Sequence, residues 1–396
     1  MPHPSILLIN RVYPPQRGAT GRLMQELAQA LATQGYRVEI LTTGSREETS
    51  LDGNIKVTRI KAEARKTFAS YSLIWLKLLL AAWKRDKPGL IITMTDPPFL
   101  VVAGKLLARK WNIPHINWCQ DLYPDILPAL DYHLPEKIQE SLKKLSRRAL
   151  KSCDRVVVIG RCMAKYLTQT GMDTRRMVVI PNWPDKEFRF ETQKPEFNPV
   201  KPAKPLLTDT ARKFRVLYAG NLGLAHPQET ILDAAALLQS SNPEIEFIFV
   251  GDGPGHERLV QERARRGLEN IRLLPHQPAF QLRDMMQAGD LHLISMKHEA
   301  ASMAVPCKIY SSIASERPGI FIGPEDSEAA KLLIEYGAGS VLAQGNPKAL
   351  ADEIIAYRMD GEKWFQAHKG AAAAHENFTA EKSIQRWIET IKSVIG

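Results

Sequence analysis

One run, Phe214-Arg215-Val216-Leu217-Tyr218-Ala219-Gly220-Asn221-Leu222-Gly223, holds the strongest structural signal in the chain. An apolar strand pattern enters a glycine loop, and a helical pattern follows. The chain opens in the same way, because the apolar residues 5–9 precede a loop with Gly18 and Gly21 and then an amphipathic pattern. Glycines after a buried strand let backbone N–H groups approach an anion, and the helix dipole favours negative charge there. The repeat predicts two α/β domains of the nucleotide-binding type that face each other across a cleft.

Apolar runs alternate with helical patterns in both halves, which is typical of parallel sheets with covered faces. The predicted strands are residues 5–9, 37–41, 55–60, 90–93, 115–118, 155–159, 177–180, 214–219, 246–250, 271–274, 291–295 and 319–322. A proline- and lysine-rich stretch without apolar periodicity predicts a linker over residues 191–213. The predicted domains are therefore residues 1–190 and 214–375, and residues 376–396 form a final helical segment.

Charge is distributed unevenly between the halves. Residues 1–200 carry 31 Lys and Arg against 19 Asp and Glu, a net charge of +12, whereas the whole chain carries +10. A basic half could face nucleic acid, anionic lipid or a phosphate-bearing substrate, or it could serve solubility alone. The basic residues form no dense run and no DNA or RNA motif, so we expect no specific nucleic-acid partner.

The four cysteines, Cys119, Cys153, Cys162 and Cys307, form no C-x-x-C pair, and no histidine and cysteine cluster has zinc spacing. We therefore expect no metal site. Few, scattered cysteines and a start that leads straight into a strand, without a secretory signal, favour a reduced, cytoplasmic setting.

One helical pattern in the basic half suggests contact with a membrane surface. Residues 71–87 are apolar, but their uncharged stretch is far shorter than the ~20 residues that span a bilayer. Two tryptophans and three basic residues would suit a helix lying on an anionic membrane; they are Trp75, Trp83, Lys77, Lys84 and Arg85. The alternative is a core helix with a basic end.

Three motifs in the second half could hold an anionic ligand. The loop Gly220-Asn221-Leu222-Gly223 is one, and Gly251-Asp252-Gly253, after the next strand, is another. In the third, Pro306 favours a helix start and places Lys308 in the first turn, where a lysine opposes the helix dipole. An anionic ligand at that helix end would remove the conflict, so Lys308 is a candidate for binding a diphosphate.

Carboxylates follow a predicted strand of the first half. Asp121 and Asp125 lie just past residues 115–118, at the sheet edge where open α/β folds bind ligands. Either could orient or deprotonate an acceptor hydroxyl, although aspartate also favours turns and helix caps. Asn182 at the domain junction and Arg17 in the first loop would face the same cleft.

Together these residues resemble the family 4 retaining glycosyltransferases of the GT-B fold over nearly the whole chain. The subgroup that this sequence most resembles builds bacterial exopolysaccharides and O-antigens and includes the colanic acid transferase type. The matching pieces are Gln120-Asp121, Pro181-Asn182-Trp183, the Pro275-His276 turn, the two glycine loops, and Ala300-Ala301 leading to Val305-Pro306-Cys307-Lys308.

The sequence departs from the family pattern at two places. Many members carry two glutamates eight positions apart near the donor sugar, and Met303 and Ser311 stand there in this chain. Glu299 is close, but Cys307 occupies its partner position. Many members also carry an arginine and a lysine after the first glycine loop, where this chain reads Leu224-Ala225-His226-Pro227.

The resemblance implies two Rossmann-like domains, with the final helix packed back on the first. It implies a retaining transfer from a nucleotide diphosphate sugar, a UDP-sugar rather than a GDP-sugar, to a saccharide acceptor of the lipid-linked kind that is common in such pathways. The donor phosphate oxygen would take the acceptor proton, so no side-chain nucleophile, metal or cofactor is implied. The enzyme would then work in the cytoplasm, peripherally at the inner face of the plasma membrane.

The same resemblance, with the motifs above, assigns the candidate residues. Asp121 and Lys308 are the catalytic candidates. Donor contacts are expected from Gly18, Asn182, Gly220, Asn221, Leu222, Gly223, Gly251, Asp252, Gly253, Pro275, His276, Glu299, Ala300, Ala301, Pro306 and Lys308. Contacts with acceptor or membrane are expected from Arg17, Asp125, Trp75, Lys77, Trp83, Lys84 and Arg85.

Three other functions fit the same sequence. A nucleotide-sugar epimerase of this fold would need carboxylates and histidines in the cleft but no acceptor site. A basic binding protein, or a fold relative without catalysis, would need neither, and the missing glutamate pair keeps that alternative open.

Overall fold

The structure is a computed structural model that describes residues 4–16, 18–62, 67–188 and 213–395. Its strands form two separate sheets, one from each half of the chain. The predicted linker lies outside the described residues except for Lys213, and Arg17 also lies outside them.

The first sheet is parallel apart from one edge strand. It is built from β1 (Ser5–Ile9), β2 (Arg37–Gly44), β3 (Glu48–Asp52), β4 (Ile55–Lys61), β5 (Leu90–Thr93), β6 (His115–Cys119), β7 (Arg155–Val158) and β8 (Met177–Val179). The strand order is β3-β4-β2-β1-β5-β6-β7-β8, and only β3 pairs antiparallel with its neighbour. Every residue of β5 and β6 is buried, as expected for strands with helices on both faces.

Within the described ranges, five helices of the first half lie between or beside the strands of this sheet along the chain. They are α1 (Ala19–Thr33), α2 (Phe68–Trp83), α3 (Leu100–Trp111), α4 (Glu136–Leu150) and α5 (Arg161–Gln169). In α1, Leu23, Leu27 and Leu31 recur at helical spacing and are fully buried.

The second sheet is parallel throughout. It contains β9 (Phe214–Ala219), β10 (Ile245–Val250), β11 (Ile271–Leu274), β12 (Leu291–Ser295), β13 (Gly319–Ile322) and β14 (Gly339–Leu342), in the order β11-β10-β9-β12-β13-β14. The helices that follow are α6 (Glu229–Ser241), α7 (His256–Arg266), α8 (Leu282–Gln287), α9 (Lys308–Ala314), α10 (Glu328–Tyr336), α11 (Pro347–Met359), α12 (Gly361–Asn377) and α13 (Ala380–Ile395).

Two edge strands, β3 and β14, were missed by the sequence prediction. β3 alternates between exposed and half-buried positions and contains mostly polar residues, so its apolar signal is weak. β14 begins at Gly339, where a Cβ would overlap the backbone of Gly319 on the neighbouring strand. With a glycine and a serine among its four residues, β14 has little strand propensity of its own. Its extended conformation depends on the pairing with β13.

The carboxyl edges of the two sheets face each other. Asp121, after β6, forms an antiparallel bridge with Ala304, which follows β12. Glu328, the first residue of α10 in the second half, accepts hydrogen bonds from the backbone N–H of Arg161 at 2.5 Å and from its Nε at 2.8 Å. Because Arg161 begins α5, a carboxylate of one domain caps a helix of the other.

The last helix returns to the first domain. The Trp387 ring of α13 lies 4.6 Å from the Trp118 ring of β6, which lies 5.9 Å from the Trp183 ring. Ser383 Oγ donates a hydrogen bond to the Pro181 carbonyl at 3.0 Å. The predicted architecture, two facing α/β domains with the final helix on the first, is therefore confirmed.

No helix in the described ranges is both long enough and apolar enough to cross a membrane.

Candidate active site between the two sheets

Two glycine loops form the floor of the candidate site. The loop after β9 and the loop after β10 are hydrogen-bonded to each other, since Leu222 N donates to Asp252 O at 2.8 Å. A Cβ at Gly251 would lie 2.5 Å from Gly220 O, and a Cβ at Gly253 would overlap Asn221 Oδ1. Gly251 and Gly253 also have φ angles of 128° and 138°, which L side chains rarely adopt. Both positions therefore require glycine.

Lys308 lies directly above these loops. Its Nζ donates to Tyr218 Oη at 2.6 Å, lies 3.9 Å from the centroid of that ring, and is 3.4 Å from Asn221 O. Within the described residues, Lys308 forms no ion pair with a carboxylate. Burial lowers the pKa of its ammonium to about 7. A partly buried ammonium without a counter-ion beside two glycine loops is well suited to bind an anion.

The local sequence explains the position of Lys308. Pro306 and Cys307 precede α9, and Lys308 is its first residue, as the helix-start pattern predicts. A Cβ at Gly220 would lie 3.7 Å from Lys308 Cε, an ordinary van der Waals contact. The φ angle of 120° at Gly220 is what disfavours a side chain there.

His226 and Ser295 lie at the same sheet edge, and sequence reasoning did not assign either to the site. His226 Nδ1 donates to the Ser295 carbonyl at 2.6 Å. Burial, together with the positive charge of Lys308, lowers the pKa of His226 to about 3, so its imidazole is neutral. The sequence did offer one signal for His226. It lies three residues after Gly223, in the stretch where many members of the family carry basic residues.

Asn182 connects the first domain to the residue before Lys308. Its side-chain amide pairs reciprocally with that of Gln120, at 3.0 and 2.7 Å, and its Nδ2 lies 3.1 Å from Cys307 Sγ. All of these groups are buried or half-buried. Asn182 therefore reaches the predicted site, where its amide holds the two domains together.

Asp121 lies in the domain interface beside Ala304. Burial, and secondly the nearby Asp96 carboxylate, raise the pKa of Asp121 to about 6. Asp96 itself pairs with Arg11, whose Nε lies 2.7 Å from Asp96 Oδ1. Arg11 and Asp96 are further polar groups at this edge that sequence reasoning missed, because they come from loops after different strands.

Asp125 has several partners within its own domain. Tyr166 Oη donates to its Oδ1 at 2.6 Å, and Arg147 and Lys143 lie 3.4 and 3.8 Å from the same oxygen. These contacts tie α4 and α5 to the loop after β6. The predicted acceptor role of Asp125 stays a prediction, and any acceptor would compete with these partners.

The remaining residues predicted to contact the donor differ in solvent exposure. Pro275 and His276 are exposed after β11, and Glu299 is exposed in the 3-10 turn His298–Ala300. Ala300, Ala301 and Pro306 are buried. Gly18 precedes α1, and a Cβ there would lie 3.0 Å from Val12 Cγ1, so this glycine packs within the first domain.

Three of the five residues predicted to contact a membrane, Lys77, Trp83 and Lys84, are exposed, and Trp75 and Arg85 are half-buried. Trp75 is half-buried and donates its Nε1 hydrogen to Phe99 O at 3.0 Å, and Arg85 pairs with Glu39 at 2.8 Å. Lys77 Nζ donates to Lys61 O at 3.0 Å, and Lys84 is exposed. The exposed large apolar residues of α2 are Phe68, Leu73, Leu76, Leu80 and Trp83, and the last four lie at helical spacing along one face.

Sequence comparison assigns the family. The model of the glycosyl transferase 4-like domain matches residues 18–183, and the model of glycosyl transferases group 1 matches residues 213–360. The chain belongs to the glycosyltransferases. The first region holds every strand of the first sheet except β1, and the second holds all strands of the second sheet, so the site described above lies between the two family domains.

Two bacterial relatives are similar to this glycosyltransferase over most of its length. WcaI of Escherichia coli K12, named as a glycosyl transferase of colanic acid biosynthesis, is 25% identical over 338 residues, 78% of this chain and 81% of the relative. WbjE of Pseudomonas aeruginosa, named as a glycosyltransferase, is 26% identical over 290 residues, 71% of this chain and 69% of the relative.

Solved structures show the same fold. Sucrose-phosphate synthase of Thermosynechococcus elongatus superposes with a TM-score of 0.80 at 17% identity and covers 98% of both chains. HepE of Anabaena, solved in complex with UDP-glucose, gives a TM-score of 0.72 at 18% identity over 99% of this chain and 100% of its own. At these identities the likeness establishes the GT-B fold of this glycosyltransferase.

Gly253→Ala tests the contact between the loops. The left-handed backbone costs an alanine about 1–2 kcal/mol, and displacement of Asn221 adds to this. We expect the free energy of unfolding to fall by about 2–3 kcal/mol in urea denaturation. Gly361→Ala is the matched control, because a Cβ there meets nothing within 4 Å. Equal stability of the two variants would contradict the packing described.

Proposed function

We propose that this glycosyltransferase is a retaining enzyme that transfers a sugar from a nucleotide diphosphate sugar, UDP- rather than GDP-, to a lipid-linked saccharide during synthesis of a cell-surface polysaccharide. The observation that carries the proposal is the Lys308 ammonium, which lies over two glycine loops and has no carboxylate partner in the part of the chain that the structure describes. The names of the bacterial relatives and the UDP-glucose complex of HepE support the choice of pathway and donor.

The donor diphosphate would occupy the space beside Lys308 and the glycine loops. Negative charge develops on a leaving diphosphate as the glycosidic bond to the nucleotide breaks, and a fixed ammonium stabilises that charge. Pairing with the diphosphate would raise the pKa of Lys308 from its lowered value, so the lysine would be charged in the complex. In the proposed reaction Lys308 supplies the positive charge, and no metal or cofactor takes part.

The acceptor would approach from the first domain, next to Asp121. With a pKa of about 6, this carboxyl is mostly ionised at pH 7 and can accept a hydrogen bond from an acceptor hydroxyl. In the proposed retaining course the donor phosphate oxygen takes the proton, so Asp121 orients the hydroxyl. Orientation of two bound reactants is a large part of the rate enhancement that such a site can give.

The surface of α2 would hold the enzyme at the inner face of the plasma membrane. Four exposed apolar side chains follow one face of the helix, and Trp83 remains 44% exposed. Basic side chains border them, because Lys84 is exposed and Lys110 Nζ lies 4.6 Å from the centroid of the Trp83 ring. An apolar stripe bordered by lysines is typical of helices that lie on anionic membranes.

The central test measures release of UDP from UDP-sugars with and without a lipid-linked saccharide acceptor. We expect release that depends on the acceptor, whereas an epimerase would convert the sugar without one. Lys308→Met removes the charge but retains much of the side-chain volume, so we expect kcat to fall at least about 100-fold, similar to the loss of one charge-stabilising donor. Unchanged kcat in a folded Lys308→Met variant would refute the diphosphate role.

Asp121→Asn separates acceptor from donor functions. Because the pKa of Asp121 is raised to about 6, the carboxylate form is lost as the pH falls below that value. We expect wild-type transfer to decline below about pH 6 and this decline to disappear in Asp121→Asn, with kcat about tenfold or more lower throughout. Equal losses in transfer and in UDP binding would count against a role on the acceptor side.

Vesicle co-sedimentation tests the membrane surface. Lys84→Glu reverses one charge near the bilayer, and each such charge contributes about 1 kcal/mol on anionic lipid, so we expect at least about tenfold weaker binding. A Leu76→Ser and Leu80→Ser double variant should weaken binding as well, since it removes apolar contact area. Ile334→Ser, at an exposed position of α10 in the second domain, is the control. Unchanged co-sedimentation of both α2 variants would exclude this surface.

A further inference from the structure

Tyr218 is the residue that fixes the direction of the Lys308 side chain. We propose that Tyr218 is a positioning residue, whose phenol oxygen and ring hold the Lys308 ammonium over the glycine loops so that it meets the β-phosphate of the donor. The inference rests on the proposed function and adds to it a residue that the motif analysis did not assign.

The tyrosine is itself rigid. It is the fifth residue of β9, pairs in register with Phe249 of β10, and is 1% exposed. Its ring centroid lies 5.4 Å from that of Phe249. Packing against Phe249 and the surrounding core of the second domain restricts the tyrosine ring to one orientation.

The lysine depends on this support. Nζ has two oxygen partners in the described structure, Tyr218 Oη at 2.6 Å and Asn221 O at 3.4 Å, and the first is much the shorter. The ammonium also lies within cation–π distance of the Tyr218 ring, at 3.9 Å. A lysine has four rotatable side-chain bonds, so an unsupported ammonium would lose conformational freedom each time an anion bound.

The tyrosine therefore reduces the entropic cost of donor binding. It holds the ammonium in place before the ligand arrives, which is the usual basis of preorganised binding. Tyr218 also leaves hydrogen positions of the ammonium free, because an ammonium has three donors and Tyr218 Oη takes one. A donor phosphate can use the remaining hydrogens without displacing the tyrosine.

A double-mutant cycle tests this role, with UDP and UMP as probes and calorimetric titration as the measurement. UMP lacks the β-phosphate, so its affinity reports the nucleoside contacts alone; GDP and GMP are titrated in parallel. The variants are Tyr218→Phe, which retains the ring but removes the oxygen, Lys308→Met, and the two combined. Thermal unfolding of each variant confirms that the fold is intact.

We expect Tyr218→Phe to weaken UDP binding about ten- to a hundredfold, the range for one hydrogen bond to a charged group, and to leave UMP binding within about twofold. In the Lys308→Met background the same substitution should have no further effect. UDP affinity should decline as the pH rises and Lys308 loses its proton. Because the Tyr218 oxygen stabilises the charged lysine, Tyr218→Phe should lower the pKa of Lys308 and shift this decline to lower pH. This decline should be absent in Lys308→Met.

The outcomes separate the inference from the proposed function. If the wild type does not prefer a nucleoside diphosphate over its monophosphate, the diphosphate role of Lys308 fails and the inference fails with it. If that preference is present, but Tyr218→Phe weakens UDP binding equally in both backgrounds or weakens UMP binding as much, the donor site stands and the positioning role of Tyr218 is wrong.

Discussion

The charged nitrogen of Lys308 lies in a partly buried position where no carboxylate of the described residues neutralises it. Burial alone lowers the pKa of this lysine, and a tyrosine oxygen and ring are its main compensation. Such an arrangement is costly in an empty protein and becomes favourable when an anion binds. Gly251 and Gly253 let the two loops pack backbone against backbone where any side chain would clash, and the proposed anion would bind beside them.

Polar contacts join the first domain to the residues around this lysine, in addition to an apolar core that both halves share. Asn182 reaches Cys307, next to Lys308, and Asp121 pairs with Ala304. These contacts bring the carboxyl edges of both sheets together, so that an acceptor on one domain would meet a donor on the other. Proximity of this kind is the main contribution that a protein can make when the reaction needs no side-chain nucleophile.

Much of this arrangement could be predicted from the chain. Long apolar strands, the glycine loops and the helix start before Lys308 have strong local signals, and the structure contains all of them. Other features have no such signal. Trp75 was expected on the surface, yet it packs inward and Leu73 is exposed, because the rotation of α2 is set by its contacts with neighbouring elements. The sequence placed Asp125 in the cleft, yet its carboxylate accepts a hydrogen bond from Tyr166 of helix α5 in the same domain.

The sequence by itself determined the two-domain α/β architecture, the family and the candidate lysine, because strand burial, glycine loops and helix starts depend on neighbouring residues. Only the tertiary structure decided which groups surround that lysine. Tyr218 and His226 lie about eighty to ninety positions before Lys308 along the chain, and several strands and helices separate them from it in sequence. Their contacts follow from the strand order of the parallel sheet, in which β9 and β12 become neighbours although β10 and β11 separate them in sequence.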